Sequence, residues 1–162
     1  MKNLIKNRDF ILFSIIIFGV IVVGFANPYF VKPSSLSDVL TDTSILIILA
    51  LSQMIVILIR AIDLSVASNL ALSGMLISLL STVYPELPVV FFILLSCVIG
   101  TFLGVLNGVS IAILKVPFIV TTLGTLSIYR GLIYFVSDGK KVYSNEFSEN
   151  LLALIHYKFL SW

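Results

Sequence analysis

A chain of 162 residues that is 59% hydrophobic and 11% charged, with a mean hydropathy of +1.16, lies outside the range of soluble domains, where about a quarter of residues carry charge. A formal net charge of +2 is too small to point to nucleic acid, and the single thiol, Cys97, supports neither a disulfide framework nor a cysteine metal cluster. Charges cluster between apolar runs, which implies an all-α, polytopic transmembrane helical bundle.

Crossing a hydrocarbon core about 30 Å thick takes roughly 17 to 25 helical residues, because each backbone polar group must be paired within its own segment. Five runs qualify. The first, 10–26, follows Lys2, Lys6 and Arg8. It is longer than the apolar region of a cleavable signal, and Asn27, Pro28 and Tyr29 follow it instead of a small-residue cleavage site, so it is expected to be a retained helix. The second helix is expected at 44–59 and the third at 64–83, with Arg60 and Asp63 between them. Tyr84, Pro85 and Pro88 separate the third from a fourth at 89–114. Lys115 and Pro117 then introduce a fifth at 117–136. Residues 137–162 read as a loop and the start of a further helix, with Glu146, Glu149, His156 and Lys158, so that 1–162 forms a single transmembrane region.

Short loops rich in Lys and Arg stay in the cytoplasm. That places the amino terminus, Arg60 and Lys115 inside, and the 27–43 loop and the 85–88 turn outside. Lys140 and Lys141 are the discord, since alternation puts them outside.

Polar residues inside the runs mark candidate sites. Ser65, Asn69 and Ser73 recur every four residues and share one helix face, with Ala67, Ala71, Gly74, Ser78 and Ser81 on a nearly opposite stripe. Two readings of the polar face stand open: bonds to neighbouring helices or to its own backbone, and a lining for a hydrated pathway. Arg60 and Asp63, three apart, suit an ion pair or helix cap, and alternatively a gate. Gly100, Gly104 and Gly108 leave one strip of the fourth helix without side chains, a packing seam, with Asn107 beside it as an interhelical hydrogen-bonding group. Thr121, Thr125 and Tyr129 share a face of the fifth helix, and Thr122, Gly124 and Arg130 adjoin it. An arginine at a bilayer centre costs about 2.5 to 17 kcal/mol, so Arg130 needs a partner, water or an interfacial position. His156 has no companions that would make it a ligand or a base. The sequence carries no Walker loop, H-E-x-x-H or G-x-S-x-G motif, which argues against an enzyme, a cofactor or a metal.

Two blocks go further. The stretch from Ile55 through Arg60-Ala-Ile-Asp63-Leu-Ser-Val-Ala-Ser-Asn69 to Met75 resembles the G-I-D-L-S-V-G-S signature of ribose-type sugar permeases of bacterial ATP-binding-cassette importers. The stretch Gly104-Val-Leu-Asn107-Gly to Pro117-Phe-Ile-Val-Thr-Thr-Leu-Gly124-Thr-Leu-Ser-Ile-Tyr-Arg130-Gly is similar to that family's second block in order and spacing. Ala61 and Ala67 stand where the family usually has glycine. Arg60, and the run from Tyr129-Arg-Gly to Ser137-Asp-Gly-Lys140, look closest to the autoinducer-2 and rhamnose branch. The resemblance covers 1 to about 149 and only the first half of the family pattern, so the bundle is incomplete relative to the family.

That resemblance implies a permease component that imports a sugar or sugar-like solute of the ribose, rhamnose or autoinducer-2 type across a bacterial plasma membrane. The implied partners are cytoplasmic ATPase subunits, which alone would hydrolyse ATP, a second permease subunit and an extracytoplasmic solute-binding protein. Ser65, Asn69, Ser73, Asn107, Thr121, Thr122 and Thr125 would line the pathway. Arg60, Asp63 and Arg130 would act as gates or braces, and Gly74, Gly100, Gly104, Gly108 and Gly124 would serve helix packing. A small non-ABC channel or ion-coupled carrier, and a nonfunctional truncated permease, are the rival readings.

Overall fold

The computed structural model describes residues 8–143 and 146–155, and the described residues fold as helices joined by short breaks. His156, Lys158 and the amino-terminal lysines lie outside the described residues. In chain order the elements are α1 (Arg8–Ala26), a 3-10 turn (Pro28–Val31), α2 (Pro33–Leu58), α3 (Val66–Val83), α4 (Val89–Ala112), α5 (Phe118–Ser137) and α6 (Glu149–Ile155). Helices α2 to α5 are long and apolar enough to cross a membrane, and Phe10–Ala26 is a shorter apolar helix. At 1.5 Å per residue that shorter run extends about 25 Å.

The chain divides into two compact units, 1–48 and 49–162. In the first, Asn27 accepts a hydrogen bond from the Tyr29 amide (3.1 Å) and opens the 3-10 turn, whose Tyr29 carbonyl takes the Ser35 hydroxyl (2.8 Å). Helix α2 then starts at Pro33, eleven residues ahead of the expected 44. Proline suits a first helical turn, where its missing N–H would have had no partner. The hydroxyls of Thr41 and Ser44 bond back to the carbonyls of Ser37 and Thr41 (2.9 and 2.7 Å), so polar residues that read as a loop continue the helix. The expected 27–43 loop is therefore mostly helix.

In the second unit α3, α4 and α5 pack on one another. Their apolar core is Leu72, Leu103 and Tyr129, with Leu76, Ile99 and Ile133 against it. Three helix ends close in the same way, with a non-glycine residue in the left-handed region: Arg60 (φ 59°) after α2, Lys115 (φ 57°) after α4 and Asp138 (φ 52°) after α5. In each case an amide beyond the helix reaches back: Ala61 to the Val56 carbonyl (3.1 Å), Leu114 to Val109 (3.3 Å) and Gly139 to Tyr134 (3.1 Å). These bonds satisfy carbonyls that the end of a helix orphans. After α2 and α4 the left-handed residue is also a cation, which suits the negative end of the helix dipole. Ser148 accepts the Leu151 amide at the start of α6 (3.3 Å), and Asn150 donates to the Leu87 carbonyl (3.3 Å), placing this short helix at the 84–88 end of the unit.

Candidate functional site

The chemistry concentrates where α2 stops and α3 begins. Residues 59–65 are not helical, so the peptide groups there need partners that a helix would have supplied. Asp63 provides them locally: its Oδ1 accepts the Ser65 amide (2.8 Å) and the Ser65 hydroxyl (2.7 Å). From α2, Gln53 donates to the Asp63 carbonyl (3.2 Å). From α5, the Thr122 hydroxyl lies 3.4 Å from the Ile62 carbonyl, its nearer partner being the Phe118 carbonyl at 2.9 Å. Helix α4 supplies a further tie through Asn107, whose Nδ2 donates to Ser65 Oγ (2.7 Å). The break is thus tied to α2 and α4, with Thr122 of α5 alongside it.

The direction of this relay follows from proton counting. A serine hydroxyl has one proton, and Ser65 gives it to Asp63, so Asn107 must approach as a donor. Its Oδ1 then points elsewhere and, like the buried hydroxyl of Thr121, has no hydrogen-bond partner among the described residues. Ser65, Asn107, Thr121 and Thr122 are all buried.

One level further along the bundle Asn69 donates to the Gly100 carbonyl (3.2 Å) and accepts the Ser73 hydroxyl (3.3 Å). Gly100 faces this pair: a Cβ there would meet Asn69 Oδ1 and Ser73 Oγ at 3.8 Å, an ordinary van der Waals contact, so a methyl group would fit. Beyond it, Tyr129 is 2% exposed and its Oη donates to the Leu103 carbonyl (2.7 Å). Thr125 bonds back to the carbonyls of Thr121 and Thr122 (3.1 and 3.3 Å).

Of the residues singled out for a pathway, the structure brings Ser65, Asn69, Ser73, Asn107, Thr121 and Thr122 into the α3–α4–α5 packing, with Asp63 at its edge. Two expectations of the sequence take a different form. Arg60 and Asp63 do not pair: Arg60 is exposed at the α2 terminus, while Asp63 spends its carboxylate on Ser65. The glycine seam is occupied at Gly100 alone, because Gly104 and Gly108, like Gly74 and Gly124, have nothing within 4 Å of a Cβ position and face outward. Arg130 lies on the exposed side of α5. Tyr129 was visible in the sequence only as a member of the Thr121–Thr125 face. Its closeness to Leu103, on another helix, had no sequence signal.

The comparisons with known proteins bear on these same residues. A family model described as branched-chain amino acid transport system / permease component matches residues 35–161, most of the chain. The chain belongs to this permease family. It is 38% identical over 149 residues to the ribose import permease protein RbsC of Haemophilus influenzae, covering 92% of this chain and 44% of that protein. It is 37% identical over 142 residues to the autoinducer 2 import system permease protein LsrC of an Enterobacter species, and 34% identical over 140 residues to LsrC of Escherichia coli O157:H7. Each of those two matches covers 86% of this chain and 40% of the relative. The chain therefore spans less than half the length of the curated relatives it matches. No solved structure matches it. As a member of this permease family with several bilayer-length apolar helices, the chain is a multi-pass membrane protein, and its relatives are transport permeases.

Proposed function

We propose that this chain supplies the first helices of a permease in an ATP-binding-cassette importer for a sugar or sugar-like solute of the ribose, rhamnose or autoinducer-2 type. Its amino terminus lies in the cytoplasm of the bacterial inner membrane. Cytoplasmic ATPase subunits drive the cycle, a second permease subunit completes the pathway, and an extracytoplasmic binding protein delivers the solute. The observation that carries this reading is that the Asp63–Ser65 break and its tie to Asn107 fall in the two sequence blocks that resemble ribose-type permeases. The chain itself catalyses no reaction.

In this reading the break at 59–65 is a brace, which keeps α3, α4 and α5 moving as one body when ATP-driven motion reaches the membrane. Asp63 is its structural charge, and Arg60 stands outside it on the exposed helix end. The pathway role expected of the polar residues narrows accordingly. Ser65, Asn69, Ser73, Thr122 and Thr125 are engaged in hydrogen bonds within the chain, so Asn107 Oδ1 and Thr121 Oγ1 are the groups left for water or solute. Tagged chain extracted from native membranes should carry an ATPase subunit with it, and vesicles containing the assembly should take up solute only with ATP and binding protein. Uptake that runs on an ion gradient without ATP would replace this reading with the carrier.

A further inference from the structure

Helix α5 has two faces of different character. One holds Thr121, Thr122, Thr125 and Tyr129 against α3 and α4. The other, exposed throughout, carries Gly124, Ser127, Arg130, Gly131 and Tyr134 at helical spacing. Gly124 and Gly131 have open space where a Cβ would stand, so another backbone can come close to this strip. Ser127 turns its hydroxyl back to the Leu123 carbonyl (3.1 Å) and makes no demand on a neighbour.

Arg130 does make one. Helix α5 runs 20 residues from Phe118 to Ser137, about the length of a bilayer crossing. Arg130 sits seven residues before its end, about 10 Å inside, close to two turns, and only a few ångströms past the middle. An arginine stem can bend its head group toward the interface, but from that depth it covers only part of the distance. The guanidinium forms no ion pair or hydrogen bond among the described residues, while Lys140 pairs with Asp138 at the helix end. A permanently charged group with five donors, exposed at mid-span, calls for an acceptor at the same depth that lipid tails do not offer.

We propose that the outer face of α5 is a helix-docking surface, and that its occupant is a transmembrane helix presenting a carboxylate to Arg130 across the Gly124–Gly131 strip. The planar fork of Arg130 matches an Asp or Glu side chain in two parallel bonds, which fixes both depth and rotation of the partner helix. Gly124 and Gly131 bring the two backbones near enough for a short acidic side chain to reach. The proposal rests on the permease reading only for the membrane setting, and a different membrane assembly would satisfy it equally.

The test uses native membranes, with the chain in whatever assembly it forms. A nitroxide attached to cysteine introduced by Ser127→Cys, in a chain carrying Cys97→Ser, should be immobilised. Its accessibility to oxygen should be several-fold lower than at Phe102, a residue exposed on α4. Arg130→Lys should retain the extracted assembly, Arg130→Leu should reduce its recovery several-fold, and Arg130→Glu should abolish it until one Asp or Glu on a neighbouring helix is changed to Arg. Oxygen accessibility at Ser127 equal to that at Phe102, or Arg130→Leu leaving recovery and thermal midpoint unchanged, would overturn the proposal and leave Arg130 turned to lipid headgroups. Scoring ATPase co-purification of the unsubstituted chain in the same preparation separates the two readings, since its loss counts against the importer and not against the docked helix.

Discussion

The described residues of 8–48 and of 49–155 are both mainly helical and apolar, yet the two regions are built on different principles. In the first region the hydroxyls of Ser14, Ser35, Thr41 and Ser44 bond to carbonyls three to six residues away, and no described residue is buried. In the second, side chains reach across the sequence by 26 to 42 residues: Tyr129 to Leu103, Asn69 to Gly100 and Asn107 to Ser65. Apolar surface alone does not pull helices together in lipid, because the acyl tails are as apolar as leucine. What distinguishes the packed region is a set of small polar side chains, a tyrosine hydroxyl and one glycine at the contacts. The teaching is that the polar residues, few as they are, define which helices form a body.

Substitutions can break or sharpen this contrast. Tyr129→Ala removes the largest fully buried side chain together with its bond to Leu103, and should lower the unfolding free energy in bicelles by about 3 kcal/mol. Asp63→Ala leaves the Ser65 amide and hydroxyl without an acceptor, one of them in a fully buried side chain, and should cost about 1 to 3 kcal/mol by the same assay. Tyr129→Phe keeps the ring and deletes one interhelical hydrogen bond, for which about 0.6 kcal/mol is expected, the average found for such bonds in membranes. Gly100→Leu should be tolerated much less well than Gly104→Leu, since only the former position faces Asn69 and Ser73. Smallest of all, Phe18→Ala in α1 should leave the midpoint unchanged, because Phe18 is 69% exposed. A loss at Phe18 comparable to that at Tyr129 would erase the contrast between the regions.

The sequence made the all-helical architecture legible because bilayer-length apolar runs leave few alternatives, and α1, α3, α4 and α5 fall within a few residues of their expected bounds. Helix α2 shows where hydropathy misleads. Ser34, Ser35, Asp38, Thr41 and Asp42 read as a loop by polarity, while helix formation asks only that Pro33 start the turn and that hydroxyls bond back to the backbone. The spacing of Ser65, Asn69 and Ser73 put all three on one helix face; Asn69 and Ser73 bond to each other within α3 while Ser65 precedes it, and helical period carries no information about which neighbour they meet. Likewise glycines at intervals of four define a strip without saying how far along it a partner runs, and only Gly100 found one. Arg60 and Asp63, three apart between two expected helices, suited an ion pair, a helix cap or a gate. The left-handed turn at Arg60 sends the chain elsewhere, and such turns at non-glycine residues leave little trace in sequence.

The link between Asn107 on α4 and Ser65 at the head of α3 joins the two sequence blocks in one packed body. A double-mutant cycle with Ser65→Ala and Asn107→Leu, followed by reversible unfolding in bicelles, measures it without disturbing the apolar core. The relay predicts a coupling of about 0.6 kcal/mol or more, up to about 1.7, the average and the maximum found for hydrogen bonds between membrane helices. Strictly additive losses would contradict it, and would mean that the two side chains share a space without holding the helices together.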